Sequence, residues 1–372
     1  MSKTFIGIGA GPIQTGIFVA GAAQGGFDRI VLAEVDPALV AALRANGSIT
    51  VNTAGKDAIT SKTYTNIEVL NPNEEADRAK LIEIGKDALV FNTALPATRF
   101  YPFCASWMKE AFALNPNGKR YIYASENSTT AAAELKAAID MDLPNTYYLD
   151  TVIGKMSKVF LASESNLPPL TPGFAKGHLV EEFCTIYTSS APDVENVGIV
   201  NLFPKADLVP FEEAKLYGHN ATHFLLALMA AERGCTYMSD AAKFPEIVEY
   251  TRQALINESG VALCKKYAGV DPYFTKEGWN TWAEELVRRM VSPLLSDAVA
   301  RVARDLTRKL GWADRIVGAV RLCKSQGVAA PNLTHGVNIA LRFSALEALL
   351  EGDWKDKEGA AELADELRKP CC

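Results

Sequence analysis

The segment Lys215-Leu216-Tyr217-Gly218-His219-Asn220-Ala221-Thr222-His223 places an amine, an amide and an imidazole within nine residues. It follows a break marked by Pro210 and precedes an apolar run. At about 100° per residue, Lys215, His223 and Asn220 fall within an arc of roughly 140° on one helix face. A lysine able to lose its proton, beside an amide able to hold an oxyanion, suits metal-free hydride transfer to or from an alcohol. The same residue types also fit a solvated helix start, and the segment alone weighs the two readings equally. A free lysine titrates near ~10.4, so a lysine base working at neutral pH must be brought toward ~7–8 by burial. His223, about one helical turn beyond Asn220, is spaced to hold a neighbouring hydroxyl. His219 is similar in kind but is left out of the set.

A second candidate stands at the other end of the chain. Gly9-Ala10-Gly11-Pro12-Ile13-Gln14-Thr15-Gly16 follows an apolar run, Thr4 to Ile8, and opens a helical stretch, Gly16 to Ala23. Glycines in such a turn let the backbone approach a diphosphate, and the helix N-terminus supplies amide hydrogens. Gly9, Gly11 and Gly16 are the candidate cofactor residues. The usual third glycine of the motif is replaced by Gln14. Glu34 ends the second strand about 20 residues further on, where a carboxylate holds ribose hydroxyls and repels a 2′-phosphate. That predicts NAD rather than NADP. Asp36 could share this role, or could cap the helix that begins at Pro37.

These residues need a frame. Short buried strands are expected at Thr4–Ile8, Arg29–Ala33, Asp87–Phe91 and Tyr121–Ala124, alternating with helices such as Pro37–Ala45. Ile49–Val51 and Asn66–Leu70 read as strands of a small antiparallel excursion. Repeated β-α units imply a doubly wound, Rossmann-like α/β sheet with helices on both faces. Beyond Asp207-Leu208-Val209-Pro210 helical periodicity takes over: Ala221–Glu232, Pro245–Ala268, Trp279–Met290, Pro293–Lys309 and Ala340–Leu350. We therefore expect an NAD-binding domain over 1–194 and a mainly α-helical substrate domain over 195–372. In such two-domain proteins the active site usually lies in the cleft between the domains.

Composition narrows the class. The 372 residues carry a mild net charge of -6 and no basic stripe, which argues against a nucleic-acid partner. Seven cysteines are scattered without a CxxC pair, and the four histidines form no ligand cluster, which argues against zinc and a disulfide framework. Most cysteines read as small core residues, and the terminal Cys371-Cys372 pair as a frayed tail. The immediate strand at the N-terminus and the lack of an apolar run of spanning length imply a cytoplasmic protein without a membrane partner.

With both candidate sites in view, the chain resembles the polyol-specific long-chain dehydrogenases, and among them the mannitol-1-phosphate 5-dehydrogenases. The likeness is carried by Gly9-Ala10-Gly11, Ala33-Glu34-Val35-Asp36, Ser125-Glu126-Asn127, Val180-Glu181-Glu182-Phe183, Lys215-Leu216 with Asn220 and His223, Glu258-Ser259-Gly260, and Arg308-Lys309-Leu310 with Asp314-Arg315. The resemblance implies metal-independent, NAD-linked interconversion of a sugar alcohol, or its phosphate, and the matching ketose. It implies Lys215 as general acid/base, Asn220 with Asn127 as the oxyanion pair, and His223 on substrate hydroxyls. Asn127 read without the family is a helix N-terminal residue. A phosphorylated substrate needs cations, and Arg308 and Lys309 are the candidates, since arginine forks suit phosphate. Arg304 reads rather as a solvated charge balanced by Asp305 and Asp314. The chain departs from the family pattern at Gln14 and Thr15, and at Ile153-Gly154-Lys155 where the family has Val-Asp-Arg. A uronate or β-hydroxyacid reductase of related architecture, or a non-catalytic NAD-binding sensor, are the competing readings.

Overall fold

The computed structural model of the chain describes residues 3–295 and 297–368; Cys371-Cys372 lies outside them. The chain divides into two compact units after Leu208 rather than at residue 194. The reason is a late strand, Leu202–Lys205, which pairs with Ile186–Ser189 and so belongs to the first unit.

The strands of that unit are β1 (Thr4–Ile8), β2 (Arg29–Ala33), β3 (Ser48–Ala54), β4 (Ile59–Thr65), β5 (Ile67–Leu70), β6 (Val90–Thr93), β7 (Arg120–Ala124), β8 (Thr146–Val152), β9 (Ser157–Leu161), β10 (Lys176–Glu181), β11 (Ile186–Ser189) and β12 (Leu202–Lys205). The main sheet runs β12-β11-β8-β7-β6-β1-β2-β5, and a smaller one runs β4-β3-β10-β9. From β8 to β5 the main sheet is parallel throughout. Its central strands are apolar on both faces, as a sheet covered on both sides requires. Phe5, Leu32 and Tyr123 face one core with Phe18; Ile6, Ile8 and Phe91 face another with Trp107 and Phe112.

The expected antiparallel excursion is half right. β3 does pair antiparallel with β4, with Ile49 opposite Tyr64. Ile67–Leu70, however, returns to the main sheet and pairs parallel with β2. The switch occurs at Asn66, whose positive φ of 59° redirects the chain between the two sheets. Of the cysteines expected in the core, Cys104 and Cys323 are buried, whereas Cys184, Cys235 and Cys264 keep partial exposure.

The second unit is helical. Val209–Glu213, Ala214–Asn220 and Ala221–Glu232 follow one another without a break, the middle segment in a wide π-helical conformation. Pro245–Gln253, the π-helical Ala254–Gly260 and Val261–Lys266 repeat that arrangement. Trp279, on the Lys276–Met290 helix, joins the two wide turns. A Cβ on Gly218 would stand 2.9 Å from its ring, and one on Gly260 would stand 2.2 Å from its Nε1. That Nε1 donates to the Leu255 carbonyl at 3.0 Å, inside the second wide turn. Glycine is therefore required at both positions by packing.

Two expected helices are broken. Pro293–Lys309 reduces to Val299–Ala303 and Leu306–Lys309, because Asp305 adopts φ 61° between them. Ala340–Leu350 spans the end of one helix, Pro331–Leu341, and the start of another, Leu346–Glu351. The Pro331–Leu341 helix begins on a buried carboxylate. Glu258 Oε1 accepts from the Asn332 amide at 2.8 Å, and Oε2 from the Leu333 amide at 2.9 Å. Removing it strands two helix N-terminal donors, so Glu258→Ala should lose about 2–3 kcal/mol of stability. Urea unfolding should show this as a lower midpoint at unchanged slope. Among the described residues, no helix is long and apolar enough to cross a membrane.

Candidate active site

In the second unit the site is built on the π-helical turn. The Ala221 amide donates to the carbonyl of Leu216, five residues back. Such a turn advances roughly 80° per residue instead of 100°. Lys215 and Asn220 are thereby brought from roughly 140° apart to roughly 40°, and His223 falls nearly in line with Lys215. The face anticipated from α-helical spacing is thus narrower in the structure. Thr222 Oγ1 donates to the Gly218 carbonyl at 2.7 Å, satisfying an acceptor within the irregular turn.

Lys215 keeps partial solvent access. The protein around its amine still pushes its pKa down to about 8, first by burial and then by the Arg315 guanidinium, with Glu212 opposing. His219, buried and in the same turn, is held well below its ordinary value by burial and then by His223 and nearby cations. Its ring centroid lies 5.8 Å from that of His223. His223 is pushed down to about 4, mainly by burial, so its ring is neutral at physiological pH. Its Nε2 is buried and has no hydrogen-bond partner among the described residues. The nearest carboxylate is Asp297, whose Oδ2 is 3.9 Å away. Asp297 is itself clamped by Arg301, with Nε at 2.7 Å and Nη2 at 2.5 Å. A neutral imidazole nitrogen without a partner is poised to hydrogen-bond a hydroxyl.

The basic residues separate by role. Arg315 Nε pairs with Asp314 Oδ1 at 2.8 Å, and its charge depresses Lys215, His219, His223 and Lys309 together. Lys309 is 4% exposed. Its Nζ donates to the Val302 carbonyl at 2.5 Å and lies 5.1 Å over the Phe224 ring. Burial, then Arg315, pushes its pKa down to about 8. Arg308 is exposed, 3.3 Å from Asp314 and 3.9 Å from Asp305. Arg304 is likewise exposed and pairs with Asp305 at 3.7 Å. Among the described residues no three His, Cys, Asp or Glu side chains group as a metal site.

In the first unit, Gly9 takes φ 81°, and its amide donates to the Ala33 carbonyl at 2.9 Å. A Cβ there would be strained and would meet the Ala94 carbonyl at 3.1 Å. A Cβ on Gly11 would project into open space, the cradle a diphosphate needs. Gly16 serves differently: a Cβ would come 2.6 Å from Val180 on β10, so this glycine sets helix-to-sheet packing. Glu34 follows β2, and its Oε1 accepts from the Val35 amide at 2.7 Å and the Asp36 amide at 2.9 Å. One carboxylate oxygen is thus anchored by backbone at the strand end. Asp36 caps the Pro37–Asn46 helix through the Ala38 and Leu39 amides, which is its capping reading. The residues present fit an adenine dinucleotide: a glycine turn with an open face, a following helix start and a carboxylate at the end of β2.

Residues 207–349 match the family model described as the mannitol dehydrogenase C-terminal domain. Over 349 residues the chain is 28% identical to the mannitol-1-phosphate 5-dehydrogenase of Exiguobacterium sibiricum, covering 90% of this chain and 84% of that one. It is 27% identical over 350 residues to the Bacillus licheniformis protein of the same name, covering 91% and 87%. The chain is thus similar to polyol dehydrogenases over most of its length, and its helical unit matches their C-terminal domain. In fold it is similar to a Pseudomonas fluorescens mannitol 2-dehydrogenase solved in ternary complex with NAD and D-mannitol. There the TM-score is 0.65 at 14% identity, covering 99% of this chain and 85% of that one. A D-sorbitol dehydrogenase in substrate-free form gives a TM-score of 0.73 at 13% identity, covering 98% and 91%.

In this helical unit the structure gathers Lys215, Asn220 and His223 on one helix, with Arg315 electrostatically coupled to Lys215 and His223. Lys309 is placed apart from any solvent-facing role, its amine engaged on a main-chain carbonyl. Asn127 is exposed, on a bend between β7 and the Ala131–Ile139 helix; the cap position of that helix is Thr130, so Asn127 is not its cap. From the sequence, Arg315 is noted without being assigned to the site, and Asp297 is not singled out. The available signal was Asp314-Arg315 itself: Asp314 caps the Arg315–Ser325 helix and orients the arginine beside it. Lys155, in the segment that departs from the family pattern, is buried and donates to the Phe183 carbonyl at 2.9 Å and to that of Glu181.

Proposed function

We propose that this enzyme interconverts a linear sugar alcohol, best a hexitol phosphate such as mannitol 1-phosphate, and the corresponding ketose phosphate, with NAD as coenzyme. The observation that carries the reading is the Lys215 amine, depressed to about 8, on the same helix as Asn220 and an unpartnered His223 Nε2. The names of the curated relatives support the substrate class, and the ternary complex of the solved neighbour supports the coenzyme. NAD, when bound, supplies the acceptor for the carbinol hydride. Gly9 and Gly11 admit its diphosphate, and Glu34 holds the adenosine ribose hydroxyls.

The chain's own residues handle the proton and the oxygen. Lys215 in its neutral form takes the hydroxyl proton, and as ammonium returns it in the reverse direction. Asn220 donates to the oxygen as negative charge builds there. Asn127 is assigned as the second donor of that pair. His223 Nε2 engages an adjacent hydroxyl. The phosphate falls to Arg315 and Arg308, whose forks suit it and whose present partners are carboxylates a phosphate can outbid in charge.

The test is a panel of hexitols, pentitols, their phosphates and hexonates with NAD, and of the matching ketoses with NADH, read at 340 nm. Turnover of a hexitol phosphate is the expected result; activity on hexonates alone would replace this reading with a uronate reductase. Removing the ribose carboxylate tests the coenzyme choice. Glu34→Ala should raise KM for NAD about tenfold and narrow the preference over NADP, measured with the same polyol.

A further inference from the structure

Strand β10 carries the start of the first helix, and two neighbouring residues of that helix are fitted to it. Gly16 leaves room for Val180, as its absent Cβ would stand 2.6 Å from that side chain. Thr15 is wholly buried beside it. Its Oγ1 lies 2.8 Å from Nδ1 of His178, two residues before Val180 and therefore on the same face of the strand. The same Oγ1 donates to the Gly11 carbonyl at 3.2 Å, which also receives the Thr15 amide at 3.0 Å.

A hydroxyl has one proton to give. With that proton on Gly11, Oγ1 accepts from His178, which sets the imidazole in its Nδ1–H tautomer. The ring is 4% exposed and burial pushes it down to about 4, so it stays neutral, as the relay requires. The backbone beneath it is anchored as well. The His178 carbonyl accepts from Asn52 Nδ2 at 3.0 Å, and β10 is paired on both sides, with β3 and β9.

We infer that His178 is a positioning residue for coenzyme binding: through Thr15 it holds the Gly11 carbonyl, and so fixes how the glycine turn meets a diphosphate. The inference rests on the reading that this turn takes NAD. It gives an occupation to Thr15, one of the two positions where the turn departs from the family pattern, and to the small second sheet, which supplies the anchor.

The experiment is a titration of the full-length protein with NAD and with ADP, following tryptophan fluorescence or heat. The proteins are wild type, Thr15→Val, Thr15→Ser, His178→Leu and the double variant Thr15→Val/His178→Leu, each with its thermal midpoint. Thr15→Val and His178→Leu should each weaken both ligands roughly five- to thirtyfold, the cost of one buried hydrogen bond. Thr15→Ser should return affinity to within about threefold of wild type, and the double variant should be little worse than either single one, as for two members of one relay. Unchanged affinity in folded Thr15→Val overturns the inference, and that variant decides the matter should His178→Leu fail to fold. A loss of affinity in Thr15→Val that Thr15→Ser does not restore overturns it too, since only the shape of the side chain would then matter. Failure of the wild-type protein to bind NAD or ADP overturns the coenzyme reading, and the inference with it, and is recognised by the wild-type titration alone.

Discussion

Lys215→Ala should lower kcat for polyol oxidation about a thousandfold or more, while the dissociation constant for NAD stays within about threefold of wild type. Among the described residues, Lys215 is the amine of the wide turn that also carries Asn220, and its pKa is depressed to about 8. The pH profile gives the assignment its sign. Oxidation needs the neutral amine, so kcat/KM should climb tenfold per pH unit below about 8 and level off above it. Ketose reduction needs the ammonium and should be flat below about 8 and fall above it. Lys309 titrates in the same range, so it is the necessary control. Lys309→Met should keep the inflection, because its amine is tied to the Val302 carbonyl, away from the reacting hydroxyl. An inflection that survives in Lys215→Ala and vanishes in Lys309→Met would reverse the assignment.

Asn220→Ala should cost about 10²–10³ in kcat, with KM for the polyol changed much less. An amide aimed at the oxygen acts most strongly once charge has built up there, so its loss appears in turnover before it appears in binding. Because Lys215 remains, the inflection near 8 should persist in this variant. That separates the two roles: one substitution removes the titration, the other lowers the plateau. Steady-state kinetics across pH 6 to about 10 would read both.

The parts of the fold legible in the sequence are those where local chemistry and tertiary fate agree. β1, β2 and β7 are largely apolar runs, and the Ala221–Glu232 helix is an apolar run of helical length; β6 lies later than expected, at Val90–Thr93 rather than Asp87–Phe91, because it ends on buried Asn92 and Thr93. No strand is expected from the sequence at β4, β8, β9, β10, β11 or β12. β10 mixes Lys176, Gly177, His178 and Glu181 with Leu179 and Val180, and only pairing on both sides makes it a strand. β9 and β12 are sheet edges with exposed apolar residues, a pattern that composition does not separate from loop. In the site, the spacing of Lys215, Asn220 and His223 was readable, but the wide turn was not, since it depends on Gly218 and Gly260 receiving Trp279 from a distant helix. Lys309 reads in the sequence as a phosphate-binding cation beside Arg308, which is exposed. The burial of Lys309 comes from Phe224, far from it in sequence, and from Val302, which the break at Asp305 brings over its amine.

The wide turn at Ala214–Asn220 has a consequence for how this chain tolerates change. It holds one residue more than an α-helix needs for the same rotation. Losing one residue between Lys215 and Asn220 would let the segment tighten to ordinary geometry, and four steps of about 100° turn the chain as far as five of about 80°. The amine would stay beside the amide while the apolar seam of Ala221–Glu232 stayed seated. An added residue finds no such slack, so this stretch should tolerate shortening by one far better than lengthening by one.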